Sequence, residues 1–189
     1  ELASGNYKLM TFTHVDTSTG VLVDAKKMGE LAQKYNVLSI LDGVCSVAGE
    51  EIRQEEWGID VVVTASQKAV GVSPGLALLV ASPKAMEVWK NRKTAVGNYY
   101  CDWSLWLPIM EAYEGRKPSY FATPPVNLIQ ALERSFELIL EEGMDARFAR
   151  HKRLATKFRS AMQELGISFL PLEAEITANT LTAAYYPKG

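Results

Sequence analysis

Residues 8–41 read KLMTFTHVDTSTGVLVDAKKMGELAQKYNVLSIL, and this stretch decides the fold class. Short apolar and β-branched runs at 8–14 and 37–41 predict two strands. Between them Asp24 is placed to cap a helix over residues 25–35, where apolar side chains recur at three- and four-residue steps. Two strands joined by a helix are typical of a βαβ unit, whose strands run parallel.

Beyond this unit the chain continues as a strand-rich part and then a helical part. Continuous apolar runs predict strands that are buried on both faces, and Pro and Gly mark the ends of helices. The predicted elements are strands at 59–64 and 76–81, a helix from 82 to 92, one short helix within the aromatic segment 98–120, long helices at 126–142 and 144–165, and strands at 167–170 and 180–186.

These elements predict an α/β fold with a mostly parallel sheet flanked by helices, followed by the start of a small α+β C-terminal domain. We expect residues 1–125 to belong to a large domain, 126–165 to be connecting helices, and 166–189 to open the smaller domain. Because the sequence starts at Glu1 without a leader and stops directly after an apolar run, we expect it to be a piece of a longer protein.

Composition excludes several classes of function. Lys and Arg total 20 against 22 Asp and Glu, a formal charge of −2, so no basic field is available to hold nucleic acid. No apolar stretch reaches the roughly 18 residues of a membrane span. The two cysteines predict neither a disulfide framework nor a structural metal site, and they favour a reducing compartment. Peroxisome, mitochondrion and cytosol are all compatible with this sequence.

Two polar residues follow predicted strands, Asp42 after the run 37–41 and Lys68 after the run 59–64. Ligands of open α/β sheets bind outside the carboxyl ends of the strands, so these side chains are expected at one crevice. Pyridoxal phosphate needs a lysine amine for its Schiff base and a carboxylate at its pyridine nitrogen. The alternative is structural: Asp42 as a turn residue and Lys68 as a solvated surface residue.

Three consecutive motifs carry a family resemblance: THVDTSTG at 13–20, LDGVCS at 41–46, and ASQKA at 65–69 with SPG at 73–75. Together they resemble the signatures of class V aminotransferases. The Ser-Gln-Lys triplet and the downstream Pro-Gly are most similar to the alanine–glyoxylate (serine–pyruvate) branch. Cysteine desulfurases of the same superfamily usually carry His before the lysine, where this sequence has Gln67.

The resemblance implies a fold type I transferase that depends on pyridoxal 5′-phosphate. Lys68 matches the lysine of the Schiff base, which later shuttles a proton, and Asp42 matches the carboxylate that keeps the ring nitrogen protonated. Thr17 matches a residue that hydrogen-bonds the ring substituents, and Val44 matches the apolar residue packed on the ring. Gln67 matches a neighbour that gives a polar or phosphate contact.

The segment YFATP at 120–124 resembles the part of the family that reaches across a dimer interface. Tyr120 and Thr123 would then bind the cofactor phosphate of the other subunit, which implies a homodimer. The resemblance also implies small substrates: an amino acid such as alanine or serine as donor and a 2-oxo acid such as glyoxylate as acceptor. No metal is implied.

Structural interpretations compete with these roles. Thr17 with its polar neighbours forms a turn in that interpretation, Val44 is core, and Tyr120 and Thr123 belong to an ordered loop. We interpret His14 as a hydrogen-bonded strand-end residue, Cys45 as a small buried packing residue, and the basic stretch around residue 151 as a solvated helix face. Two rival functions are another class V enzyme, a desulfurase or lyase, and a catalytically silent scaffold with the same fold.

Overall fold

The computed structural model describes residues 1–187, and a four-stranded sheet lies at its centre. The strands follow one another across the sheet in chain order; the first three are parallel, and the fourth runs antiparallel to the third. They are β1 (Leu9–Thr13), β2 (Leu38–Asp42), β3 (Val61–Ala65) and β4 (Ala77–Ala81). The predicted βαβ unit and mostly parallel sheet are confirmed.

Five α-helices lie within residues 1–187. Four were predicted from spacing or punctuation in the sequence, and the remaining one, of 12 residues, lies where one short helix was expected within residues 98–120. None of them combines the length and the apolar character that crossing a membrane requires. The helices are α1 (Ala25–Lys34), α2 (Pro83–Lys90), α3 (Trp103–Glu114), α4 (Val126–Glu142) and α5 (Met144–Glu164), with short 3-10 helices at Leu2–Ser4 and Ala174–Ile176.

Helix α1 forms where the sequence provides both a cap and a narrow apolar face. The Asp24 side chain accepts a hydrogen bond from the backbone N–H of Lys27 at 2.9 Å, which satisfies one free donor of the first turn. Its buried residues are small, Ala25, Gly29 and Ala32, so the helix axis lies close to the sheet. A Cβ added at Gly29 would collide with the backbone carbonyl oxygen of Trp57, which packs against this face of the helix.

Two apolar clusters hold the layers together. The first joins Ala25 of α1 to Leu41 and Ile59, which are almost fully buried beside the sheet. Burying an aliphatic side chain of this size contributes roughly 1.5–3 kcal/mol. The second cluster is formed by Ala48, Val70 and Ile139, which come from the turn after β2, the loop after β3, and α4. This second cluster packs the turn after β2 and the loop after β3 against α4.

Strand β4 differs from its prediction. The apolar run 76–81 predicts a strand buried on both faces, yet Leu79 and Val80 are 49% and 61% exposed. The reason is position: β4 is the outermost of the four strands, with β3 on one side and no fifth strand within residues 1–187 on the other. An apolar run indicates a strand but not whether neighbours cover it.

Residues 166–187 form no ladder with the four-stranded sheet, and they contact the loop that follows β1. Phe169 and Ala184 form one isolated antiparallel bridge where two short strands were predicted. Further along, Ala178 is fully buried, and its N–H donates to the carbonyl of Gly20 at 3.0 Å. The three proposed domain ranges remain predictions, and residues 188 and 189 of the last range lie outside the described residues.

Candidate active site

The carboxyl ends of β1, β2 and β3 meet at one edge of the sheet. Thr13 pairs with Asp42, and Asp42 pairs with Val63, so the three strands end within a few residues of one row. Just beyond this row the His14 N–H donates to the carbonyl of Asp42 at 3.0 Å, and the Gly43 N–H donates to the carbonyl of Val63 at 2.8 Å. The three segments that follow the strands therefore leave the sheet side by side.

Asp42 is the last residue of β2, and its carboxylate is exposed at this edge. One oxygen, Oδ1, accepts a hydrogen bond from the backbone N–H of Val44 at 3.0 Å, which forms a tight turn and fixes the side chain. The other oxygen, Oδ2, has no hydrogen bond within residues 1–187. The turn interpretation and the functional interpretation are thus compatible, because the turn uses only one of the two oxygens.

Lys68 lies on a loop that Ser66 closes. The fully buried Ser66 hydroxyl donates to the carbonyl of Ser73 at 2.7 Å and accepts from the N–H of Leu76 at 3.3 Å. Within the loop, the N–H of Gly71 donates to the Lys68 carbonyl at 2.9 Å, and Gly71 has a φ of 82° that glycine adopts without strain. Gln67 and Lys68 themselves are exposed. Ser66 holds the loop in shape and leaves the amine accessible.

The segments that carry Asp42 and Lys68 are in contact. A Cβ added at Gly49, in the turn after β2, would lie 3.2 Å from the Cβ of Ala69, the residue after Lys68. Since β2 and β3 are neighbours and both side chains follow the carboxyl ends, an acid and an amine face the same edge. No hydrogen bond links Asp42 to Lys68 within the described chain, so both are available to a ligand.

Thr17 joins this edge through a contact that the sequence did not predict. Its Oγ1 lies 3.2 Å from the Sγ of Cys45, next to Val44. Cys45 is half-buried, so its interpretation as a small buried packing residue is wrong. The thiol reaches the exposed Thr17 because the 13–20 loop and the turn after β2 leave adjacent strands. Thr17, Val44, Gln67, Asp42 and Lys68 thus lie around one edge of the sheet.

Tyr120 and Thr123 lie in the segment that joins α3 to α4. Tyr120 is 71% exposed, Thr123 is exposed, and neither makes a hydrogen bond to the strand-end residues described above. Their neighbour Phe121 packs edge-on against Tyr99 and Trp106, with ring centroids 5.4 and 4.7 Å apart. Tyr120 and Thr123 are thus exposed beside a packed aromatic cluster. This arrangement is compatible with a role in the site of another subunit and does not test that role.

Sequence reasoning missed two residues that build the site. Ser66 lies in the ASQKA motif, and it received no role from the sequence. The hydrogen bonds with which it closes the loop depend on where residues 73 and 76 lie in the fold. Glu50 is 4% exposed, and its carboxylate accepts hydrogen bonds from the backbone N–H of Asn179, its amide at 2.8 Å, and the N–H of Thr180 at 3.0 Å. A buried carboxylate with three donors anchors the end of the turn after Asp42. Its partners lie about 130 residues away in sequence, so no local signal identifies them.

Among residues 1–187 no cluster of His, Cys, Asp and Glu is arranged to hold a metal ion. The edge instead presents one amine, one carboxylate, a hydroxyl, an amide and an apolar side chain. Residues 1–184 match the family model described as Aminotransferase class-V. The chain belongs to the class V aminotransferase family. The resemblance drawn from the three motifs is confirmed.

Several relatives of this class V aminotransferase chain are named glyoxylate aminotransferases. It is 37% identical to alanine–glyoxylate aminotransferase 1 of Saccharomyces cerevisiae over 98% of this chain and 50% of that protein. It is 35% identical to the serine–glyoxylate aminotransferase of Arabidopsis thaliana over 95% of this chain and 44% of that protein. The chain spans about half the length of the curated relatives that it matches.

A solved structure confirms the fold class. The alanine–glyoxylate aminotransferase of Nostoc sp. superposes with a TM-score of 0.86 at 32% identity, covering 96% of this chain and 47% of that one. Class V aminotransferases of this kind have the fold type I architecture, so the predicted α/β fold is that of this family.

His14 follows the last residue of β1, just beyond the strand ends, and is 3% exposed. Within the described residues its Nδ1 is buried without a hydrogen-bond partner. Burial lowers the pKa of His14 from 6.5 to about 4, and the carboxylate of Asp24 offsets this effect only in part. The ring is therefore neutral at pH 7. The interpretation of His14 as a hydrogen-bonded strand-end residue holds for its backbone N–H, which donates to the Asp42 carbonyl, and is wrong for the ring Nδ1.

This shift predicts a pH-dependent stability. Below pH 6.5 the unfolded chain protonates His14 while the folded protein does not, so the free energy of unfolding falls between pH 6.5 and 4, by up to about 3 kcal/mol. His14→Gln has no proton to gain and is expected to lose less stability over the same range. Urea unfolding of the full-length protein and of this variant at pH 7 and pH 4.5 measures the difference. Equal losses in the two proteins would show that His14 does not contribute.

Proposed function

We propose that the protein containing this chain is a pyridoxal-phosphate-dependent aminotransferase that moves an amino group from alanine or serine to a 2-oxo acid such as glyoxylate. One observation carries the proposal: Lys68 and Asp42 follow neighbouring parallel strands at their carboxyl ends, on segments that touch each other. An amine and a carboxylate at one crevice of this fold are the two groups that this cofactor requires.

The donor set fits the cofactor. Lys68 offers an exposed amine for its aldehyde, and the unoccupied oxygen of Asp42 offers an acceptor for a ring N–H. Half-buried Val44 supplies an apolar surface for a flat ring, while the Thr17 hydroxyl and Gln67 amide supply hydrogen bonds to polar substituents. These five residues are among the seven that the family resemblance selects, and the other two are Tyr120 and Thr123.

When bound, pyridoxal phosphate supplies an electron sink for the bond that breaks at the substrate α-carbon. Lys68 has two roles: its amine holds the cofactor until substrate displaces it, and the freed amine then takes the α-proton and returns it at the cofactor carbon. The Asp42 carboxylate would stabilise positive charge on the ring nitrogen. Because its other oxygen is fixed by Val44 N–H, the carboxylate is already oriented before ligand arrives.

The substrates and the assembly extend this proposal. Both relatives named above act on glyoxylate, one with alanine and one with serine, which supports glyoxylate as acceptor and a small amino acid as donor. We propose a homodimer in which Tyr120 and Thr123 bind the cofactor phosphate of the partner subunit. Their exposure supports an intersubunit role, because exposed side chains are free to contact a second subunit.

Reduction with borohydride tests the proposal. The full-length protein is loaded with pyridoxal phosphate, reduced, digested and mapped by mass spectrometry. A pyridoxyl adduct on Lys68, together with alanine–glyoxylate turnover before reduction, is the expected result. Cofactor bound without any adduct would support the catalytically silent scaffold. An adduct on Lys68 with cysteine desulfuration or a lyase reaction but no amino transfer would support another class V enzyme.

A further inference from the structure

A single arginine of α5 joins the two loops that carry the candidate active site. The Nε of Arg147 donates to the carbonyl of Ala48 at 2.7 Å, and its Nη2 donates to the carbonyl of Ala69 at 2.7 Å. Ala48 belongs to the turn that follows Asp42, and Ala69 is the residue after Lys68. One planar guanidinium therefore bridges the segment of the acid and the segment of the amine.

The bridge is rigid because a planar group holds both carbonyls at once. The side chain of Arg147 is only 14% exposed, so water competes little for its donors. Ala48 has a φ of 69°, an unusual left-handed conformation for a residue with a Cβ, and its carbonyl is one of the two that Arg147 engages. Local propensity disfavours that backbone, so a contact from outside the turn is needed to hold it.

A carboxylate holds the arginine in turn. Nη1 of Arg147 donates to Oε2 of Glu142 at 2.9 Å, across the junction between α4 and α5. Arg150 forms two further hydrogen bonds to the same carboxylate. Hydrogen bonds from Arg150 and Arg147 lower the pKa of Glu142 to about 2, so this partner is ionised at pH 7.

We propose that Arg147 is a positioning residue for amino transfer: it fixes the spacing between the Asp42 and Lys68 segments without touching either side chain. This inference rests on the proposed function. The amine must reach the α-carbon while the acid faces the ring nitrogen, so both have to be placed against one rigid ligand. A displacement of about 1 Å at such a site costs up to about 100-fold in rate.

Arg147→Lys and Arg150→Lys form a matched pair. Both keep a cation beside Glu142, but Arg150 makes no hydrogen bond to either loop within the described residues, whereas a lysine at 147 cannot engage two carbonyls as a fork. In the full-length protein we expect Arg147→Lys to lower kcat about 10- to 100-fold and to weaken pyridoxal phosphate binding to the apoprotein. We expect Arg150→Lys to stay within about twofold of wild type in both.

Amide hydrogen exchange adds a readout that does not depend on turnover. Arg147→Lys is expected to exchange faster in residues 43–50 and 66–76 together, with the sheet and α1 unchanged, and Arg150→Lys is expected to match wild type. Wild-type kcat and wild-type exchange in Arg147→Lys would overturn the inference, as would an equal loss in both variants. If wild type itself forms no adduct on Lys68, the proposed function fails. An adduct in wild type with unchanged kcat in Arg147→Lys refutes only the role of Arg147.

Discussion

Replacement of Lys68 with alanine in the full-length protein is expected to lower kcat for amino transfer by about 10⁴-fold or more. We expect a large loss because the proposed function gives one amine two roles, holding the cofactor and carrying the α-proton. Stability should change little, since the side chain is exposed and lies on a loop that Ser66 holds closed without it. Steady-state kinetics with alanine and glyoxylate measure the rate, and urea unfolding measures the stability.

Two controls separate the amine from the charge and from the fold. Lys68→Arg keeps a cation that cannot attach to the cofactor aldehyde, and it should be as inactive as the alanine variant. Lys90→Ala removes an exposed lysine in the last turn of α2 and should behave as wild type. Methylamine added to Lys68→Ala should restore part of the proton transfer. Activity above one tenth of wild type in Lys68→Ala would exclude Lys68 as the catalytic amine.

The sequence was most informative where local signals decide the structure. Helix α4 spans Val126–Glu142 as predicted, because Pro125 precedes it, Gly143 ends it, and its apolar positions recur at helical steps. Asp24 caps α1 as predicted. The edge that carries Asp42 and Lys68 followed from a general rule: parallel strands of a βαβ fold present their carboxyl ends together.

Contacts between distant parts of the chain were beyond local reasoning. Arg147 lies one helical turn before the basic stretch around residue 151 and received no role from the sequence, because its partners Ala48 and Ala69 are 99 and 78 residues away. The same limit explains Cys45, whose contact with Thr17 depends on how two loops meet. Exposure of β4 depends on which strand lies outermost, and composition does not reveal that order.

Asp42→Asn is expected to lower kcat about 10²- to 10⁴-fold while the free energy of unfolding stays close to that of wild type. The amide oxygen can still accept the hydrogen bond from Val44 N–H, so the turn survives. What is lost is the negative charge that stabilises a protonated ring nitrogen. Asp42→Ala removes the turn as well and should lose similar activity with a modest further loss of stability.

Asp60 offers a matched acid at the opposite end of the sheet, because it precedes β3 whereas Asp42 ends β2. Its buried carboxylate accepts hydrogen bonds from the N–H of Ser39 at 2.9 Å and from Lys84 Nζ at 3.2 Å. Asp60→Asn is therefore expected to lower the free energy of unfolding by about 1–3 kcal/mol and to leave kcat per folded molecule unchanged. Asp42→Asn should do the reverse. If both variants lose stability and neither loses kcat, Asp42 is a structural turn residue and the electron sink has no carboxylate in this chain.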